Sequence, residues 1–195
     1  MVVLYSVGTW RAAELPKFLA YLGFAMLASR LKVQVPEIDG SISINFLFIL
    51  IAVADLNLSQ TVILTCLAIV TQCFSPSRRW PKIEQLAFNV SSAAIASCAA
   101  YFVYHAPLGR WHQFSALLLM GSAAAYFVLN TLPVATIISF TEDKVLRKIW
   151  SECYFWYLPY YLLGGGIAAI FRFANQKIGW QPTFIALPVI FLIYR

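Results

Sequence analysis

The chain has 195 residues, of which 61% are hydrophobic and 11% charged, against about 25% charged in a soluble domain. That length suits one domain over 1–195, and the composition excludes an aqueous core coated in charge. The net charge of +6 does not mark a nucleic-acid surface, because the basic residues stand singly or in short groups between apolar runs.

Hydrophobic stretches then follow one another along the chain with only short breaks. The first 17 residues contain Arg11, Glu14 and Lys17 and no uninterrupted apolar run, unlike a cleavable signal peptide. Segment one covers about 16–31, with Pro16 suited to a first helical turn. Arg30 and Lys32 follow, with stems long enough to snorkel to a membrane interface. The sequence Val-Pro-Glu-Ile-Asp-Gly (35–40) breaks the helix. Segments two (41–56) and three (59–74) are separated only by Asn57 and Leu58. Both are short for spanning, so they read as a thin hairpin or a re-entrant pair. A basic loop with two prolines, 75–82, leads to segment four at 83–104. Segment five, about 113–140, is long enough to tilt, and Pro133 should kink it.

The stretch 141–150 is amphipathic and reads as a short interfacial helix. Thr141 is its expected N-cap, with Glu142 and Asp143 in the first turn. Segment six covers about 153–173 and segment seven about 182–194. The expected fold is all-α: a polytopic transmembrane bundle of about seven segments, six or five crossings being the alternatives, plus the interfacial helix. With the 75–82 loop cytoplasmic and all segments crossing, nine Lys/Arg fall on the cytoplasmic side and five on the other. This follows the positive-inside rule and puts the C-terminus in the cytoplasm of a bacterium, with the protein multi-pass in its inner membrane.

Candidate site residues are polar groups at bilayer depth, which are costly there and mark ligand or ion sites. Asp55 lies between segments two and three, and either takes part in such a site or caps the turn together with Asn57. Asn45, Gln72, Glu84, Asn89 and Asn130 are the other polar residues within spans. Asn89 and Asn130 are ligand candidates with interhelical hydrogen bonding as the alternative. Asn130 could also satisfy a carbonyl freed by Pro133. Glu84 is expected to pair with Lys82 or Arg78. The run Tyr154-Phe-Trp-Tyr-Leu-Pro-Tyr-Tyr161 is either an interface belt or, through Tyr157 and Tyr161, an aromatic cage for a ligand.

Small residues cluster at 91–100, 121–125 and 164–169, which predicts that segments four, five and six form the tight centre. Gly164, Gly165 and Gly166 serve packing, or else a hinge or a wall against a ligand. Cys66, Cys73, Cys98 and Cys153 have no metal or disulfide spacing and read as small hydrophobes. His105 and His112 have no acidic neighbour that would complete a metal site. No nucleophile motif or carboxylate pair recommends an enzyme, and no cofactor is indicated.

The order of elements carries a resemblance: a short first helix, the Pro-Glu-Ile-Asp-Gly break, a tight apolar hairpin and a basic loop. Paired long helices follow, joined by Ser-Phe-Thr-Glu-Asp-Lys-Val-Leu-Arg-Lys-Ile-Trp (139–150), and the chain closes on 180–195. Over essentially its whole length it resembles the N-terminal membrane sensor region of bacterial signalling proteins. In those, diguanylate cyclase, HD-type phosphodiesterase or histidine kinase domains follow the last helix. The resemblance implies a non-enzymatic sensor that passes a ligand or membrane signal to a cytoplasmic output domain beyond Arg195. Its implied partners are the lipid bilayer, a small-molecule ligand and, in a homodimer, a second copy. A looser similarity, in the short second helix after an acidic, glycine-containing break, is to the substrate-binding membrane subunits of vitamin transporters. It implies a small-molecule binding subunit as the alternative function.

Overall fold

A computed structural model describes residues 15–30, 32–34, 41–74, 82–106 and 115–179. The expected segment seven, His112, Arg78 and the N-terminal residues lie outside them. Among the described residues, α1 spans Leu15–Ser29, α2 Asn45–Asp55, α3 Leu58–Cys73, α4 Ile83–Tyr104, α5 Ser115–Glu142, α6 Leu146–Ile149 and α7 Leu158–Ile178. A π-turn (Trp150–Tyr154) and a 3-10 turn (Phe155–Tyr157) join α6 to α7. Helix α4 has the bounds expected of segment four. One addition was not legible in the sequence: strands β1 (Lys32–Gln34) and β2 (Ser41–Ser43) pair antiparallel across the Pro-Gly break, Val33 opposite Ile42.

Helices α4 and α5 are the two, among the described residues, long and apolar enough to cross a bilayer. Helices α1, α2 and α3 are apolar but shorter. At a rise of 1.5 Å per residue, α2 is only about 16 Å long, roughly half of a 30 Å hydrocarbon core.

Large apolar side chains lie on the outside of the bundle as well as in its core, and several polar ones are buried. Ile83, Ile95 and Phe102 of α4, Leu117 and Phe140 of α5, and Leu163, Ile170 and Phe173 of α7 are exposed. Ser29, Asn45, Gln60, Thr61, Thr65, Ser92, Ser97, Ser122 and Thr131 are buried. Most of the buried hydroxyls bond a carbonyl one turn back, as Ser29 to Ala25, Thr65 to Thr61, Ser122 to Leu118 and Thr131 to Phe127. No water is needed to satisfy them.

The centre differs from the sequence expectation. Helix α2 occupies it, with residues 45–54 all buried, as befits a helix that is apolar all round. The small residues of α4, α5 and α7 do allow close packing beside it. A Cβ on Gly165 would lie 3.0 Å from the Leu119 carbonyl and 3.1 Å from Met120 Cα, so α5 and α7 approach almost backbone to backbone. Gly166 has nothing near it.

Two local expectations are corrected. Thr141 is not an N-cap: α5 runs on through it, and its hydroxyl bonds the Ile137 carbonyl inside the helix. Asp143, at φ 51, ends α5 instead, so the amphipathic stretch keeps only the four helical residues of α6. The second concerns the carbonyl that Pro133, inside α5, leaves without a donor. Proline has no N–H for the Leu129 carbonyl, and Ser92 of α4 supplies the donor at 3.3 Å. Asn130 does not fill that role. Glu84 makes no ion pair with Lys82 among the described residues.

Candidate functional site: a polar cavity between helices

Helical spacing brings one polar face from each of several helices to a common space. Ile69, Gln72 and Cys73 lie three and four apart on α3, Asn89 and Ser92 three apart on α4, and Tyr126, Asn130 and Val134 four apart on α5. Residues at these spacings share a helix face. Tyr154, Tyr157 and Tyr161 follow the same rule across the turns into α7. With Asn45 and Phe46 at the start of α2 and Thr131, they line a cavity of about 330 Å³. Among the described residues that line it there is no Asp, Glu, Lys, Arg or His.

Hydrogen bonds and rings fix the walls. Asn45 Nδ2 donates to Gln72 Oε1 at 2.9 Å and to Ser29 Oγ at 3.3 Å. Asn89 Nδ2 donates to Cys73 Sγ at 3.6 Å. Asn130 faces Tyr161 across the cavity wall. Trp150 Nε1 donates to Thr131 Oγ1 at 3.1 Å, tying the π-turn to α5. The Phe46 and Tyr161 rings lie 4.4 Å apart, and a Cβ on Gly164 would enter the Phe46 ring. That glycine therefore lets Phe46 reach the cavity wall. The aromatic run divides by face: Tyr157 and Tyr161 are buried, whereas Phe155, Trp156 and Tyr160 are exposed.

Of the candidates read from the sequence, Asn89, Asn130, Tyr157 and Tyr161 meet in this cavity, and Asp55 does not. Asn45 and Gln72 were visible as polar residues within spans, but not as members of a shared site. Tyr126, Ser92 and Thr131 carried no sequence signal beyond helical spacing.

Asp55 lies at the opposite end of α2, in a second constellation. Its Oδ2 accepts from Tyr21 at 2.9 Å and Asn175 at 2.8 Å, and its Oδ1 pairs with Arg172 Nη1 at 3.1 Å. Lys17 Nζ lies 3.7 Å from Oδ2 and donates to the Asp55 carbonyl at 3.0 Å, and Arg172 also donates to the Ala54 carbonyl. Two cations thus meet the negative C-terminal end of α2, where helix carbonyls lack partners. The Arg172 guanidinium stands 5.2 Å from the Tyr104 ring centre. The turn itself is capped by Asn57, in a reciprocal box with Gln60. Asp55 is a clasp between α1, α2 and α7, and its side chain caps nothing.

An apolar exterior, a hydroxyl- and amide-bearing interior and a cavity between helices define a membrane-associated helical module. The chain belongs to the MASE9 family of membrane-associated sensor domains, whose family model matches residues 11–195. No curated protein and no solved structure matches it.

Proposed function

We propose that this sensor domain is the input half of a signalling protein, and that a small molecule held in the cavity is its signal. The observation that carries this reading is the cavity itself. Side chains from α2, α3, α4, α5 and the start of α7 converge on it, so an occupant touches most of the bundle at once. A ligand shifts a conformational equilibrium only by its differential affinity for the two packings. A site shared by so many helices can have such a difference.

In this reading the chain crosses a bacterial inner membrane several times. Lys82, Lys144, Arg147 and Lys148 lie at the end of the bundle nearest the cavity and face the cytoplasm, in keeping with the positive-inside rule. Lys17 and Arg172, which engage Asp55, lie at the other end. The segment at 182–194 carries the shift to an output domain beyond Arg195. The module binds and does not catalyse.

Two measurements test this. A fluorescent reporter fused after Arg195 should light up in the cytoplasm, and periplasmic phosphatase activity at the same position would overturn the topology. Val134→Phe, which fills the cavity from α5, should fix the signalling output of the native reading frame at one level. An output that still responds would remove the cavity from the mechanism.

A further inference from the structure

The cavity's chemistry narrows the class of molecule it accepts. We infer that it binds an uncharged planar ring carrying carbonyl oxygens, of the kind found in a quinone headgroup. This rests on the reading of the cavity as the ligand site.

The first argument is charge. With no carboxylate or cationic side chain among the described residues that line it, the cavity does not repay the lost hydration of a charged ligand. Phosphorylated, carboxylated and ammonium compounds are therefore disfavoured. The second is shape. The Phe46 and Tyr161 rings lie 4.4 Å apart at 33°, and the Tyr126 and Tyr161 rings 6.2 Å apart at 31°. They form a continuous aromatic wall, and rings pack on such walls in offset or edge-on arrangements. A volume of about 330 Å³ lies at the small end for ligand sites, enough for one substituted ring and too little for a dinucleotide.

The third argument is the surplus of donors. Tyr126 is 2% exposed and lines the cavity, and its hydroxyl makes no hydrogen bond among the described residues. The Gln72 carbonyl oxygen accepts from Asn45, which leaves the Gln72 NH2 group without an acceptor among the described residues. Asn89 donates only to a thiol sulfur at 3.6 Å, a weak acceptor. Gln72 and Asn89 are half-buried, and ring carbonyls entering the cavity would give these donors strong acceptors in place of water.

Such a ring could come from the bilayer as a tailed lipid or from water as a free molecule. The test uses the full chain in nanodiscs and a fully substituted benzoquinone, so that Cys73 cannot add to the ring. Binding is followed by quenching of tryptophan fluorescence, since Trp150 bonds the lining residue Thr131. Saturable quenching is expected. Tyr126→Phe, which keeps the ring and loses only the hydroxyl, should weaken it about tenfold, the scale of one hydrogen bond. Gln72→Leu should weaken it at least as much. The same ring bearing a carboxylate should bind at least about tenfold more weakly, and Asp55→Asn should leave binding unchanged. Comparison of a ring with a short alkyl tail against the tail-less ring separates the two sources: preference for the tailed form points to the bilayer, equal binding to water.

Absence of saturable quenching by both forms would overturn the inference. So would equal binding by Tyr126→Phe and Gln72→Leu, or equal binding of the carboxylated ring. If Val134→Phe still fixes the output in that event, the cavity remains the ligand site and only the ligand class is wrong. If Val134→Phe has no effect, the site reading itself has failed.

Discussion

Replacing Asp55 by alanine removes the one carboxylate on which α1, α2 and α7 converge. The Asp55 side chain is 7% exposed, while those of Lys17 and Arg172 are 26% and 25% exposed. Removing one partner of a buried ion pair typically costs about 3–5 kcal/mol, because the other charge is left uncompensated. Here both cations retain some access to water, so the lower end applies, about 3 kcal/mol. That corresponds to roughly a hundredfold change in the folding equilibrium at about 1.4 kcal/mol per tenfold. Asp55→Asn should cost less. Its carbonyl can still accept from Arg172, while Tyr21 and Asn175 can reorient to accept from its NH2 group. The assay is detergent-driven unfolding of the purified chain in mixed micelles, followed by tryptophan fluorescence. Combining Asp55→Ala with Arg172→Leu should be less damaging than the sum of the two, by about 1 kcal/mol or more, since contacting partners are not additive. A loss below about 0.5 kcal/mol for Asp55→Ala would place the clasp among ordinary exposed ion pairs and refute the reasoning.

Three other outcomes follow from the packing. Ser92→Ala should cost about 1 kcal/mol by leaving the Leu129 carbonyl without a donor, and in a Pro133→Ala background, where the new backbone N–H can serve that carbonyl, the same change should cost almost nothing; unfolding of the four variants checks this. Gly165→Ala should destabilise the chain by pressing α7 off the Leu119 carbonyl, whereas Gly166→Ala should be neutral or stabilising by up to about 1 kcal/mol through helix propensity, and the two melting midpoints decide the order. Desolvation of the His105 ring, helped by the Arg172 charge and opposed by the Tyr101 carbonyl, holds its pKa below the usual 6.5. The folded chain therefore favours neutral His105. Stability from this residue is full above about pH 6.5 and falls as the pH drops through the lower folded value, a slope that His105→Gln should flatten in an unfolding series across that range.

Segment four could be read directly because its 22 residues are mostly apolar and are bounded by a Pro-containing basic loop and by His105. The two-residue separation of α2 and α3 was equally plain, and so was the suitability of Asn57 for a cap. The strands β1 and β2 were not, since three residues on each side of a Pro-Gly break carry no periodicity until they pair. Thr141 looked like a cap because Glu142 and Asp143 follow it, yet nothing in the preceding 26 residues of α5 stops the helix before Asp143 turns to positive φ. Asn89, Asn130, Tyr157 and Tyr161 were marked as unusual polar or aromatic residues in apolar surroundings. Their meeting with Asn45 and Gln72 depends on which faces α2, α3, α4, α5 and α7 turn toward one another.

Composition and hydropathy by themselves determined that this chain is a helical membrane-associated module, because a sequence so poor in charge cannot coat a soluble surface. They also marked the turns, where proline, glycine and asparagine act within a few residues. Tertiary structure alone decided the rest. It buried the short α2 at the centre, gave Asp55 partners 34 to 120 residues away, and lent Ser92 to the carbonyl that Pro133 leaves open. It also gathered uncharged amides and tyrosines around one cavity. The last three share a physical reason: a polar group held away from water gains from a partner, and here those partners lie on other helices, at separations along the chain that no local pattern records.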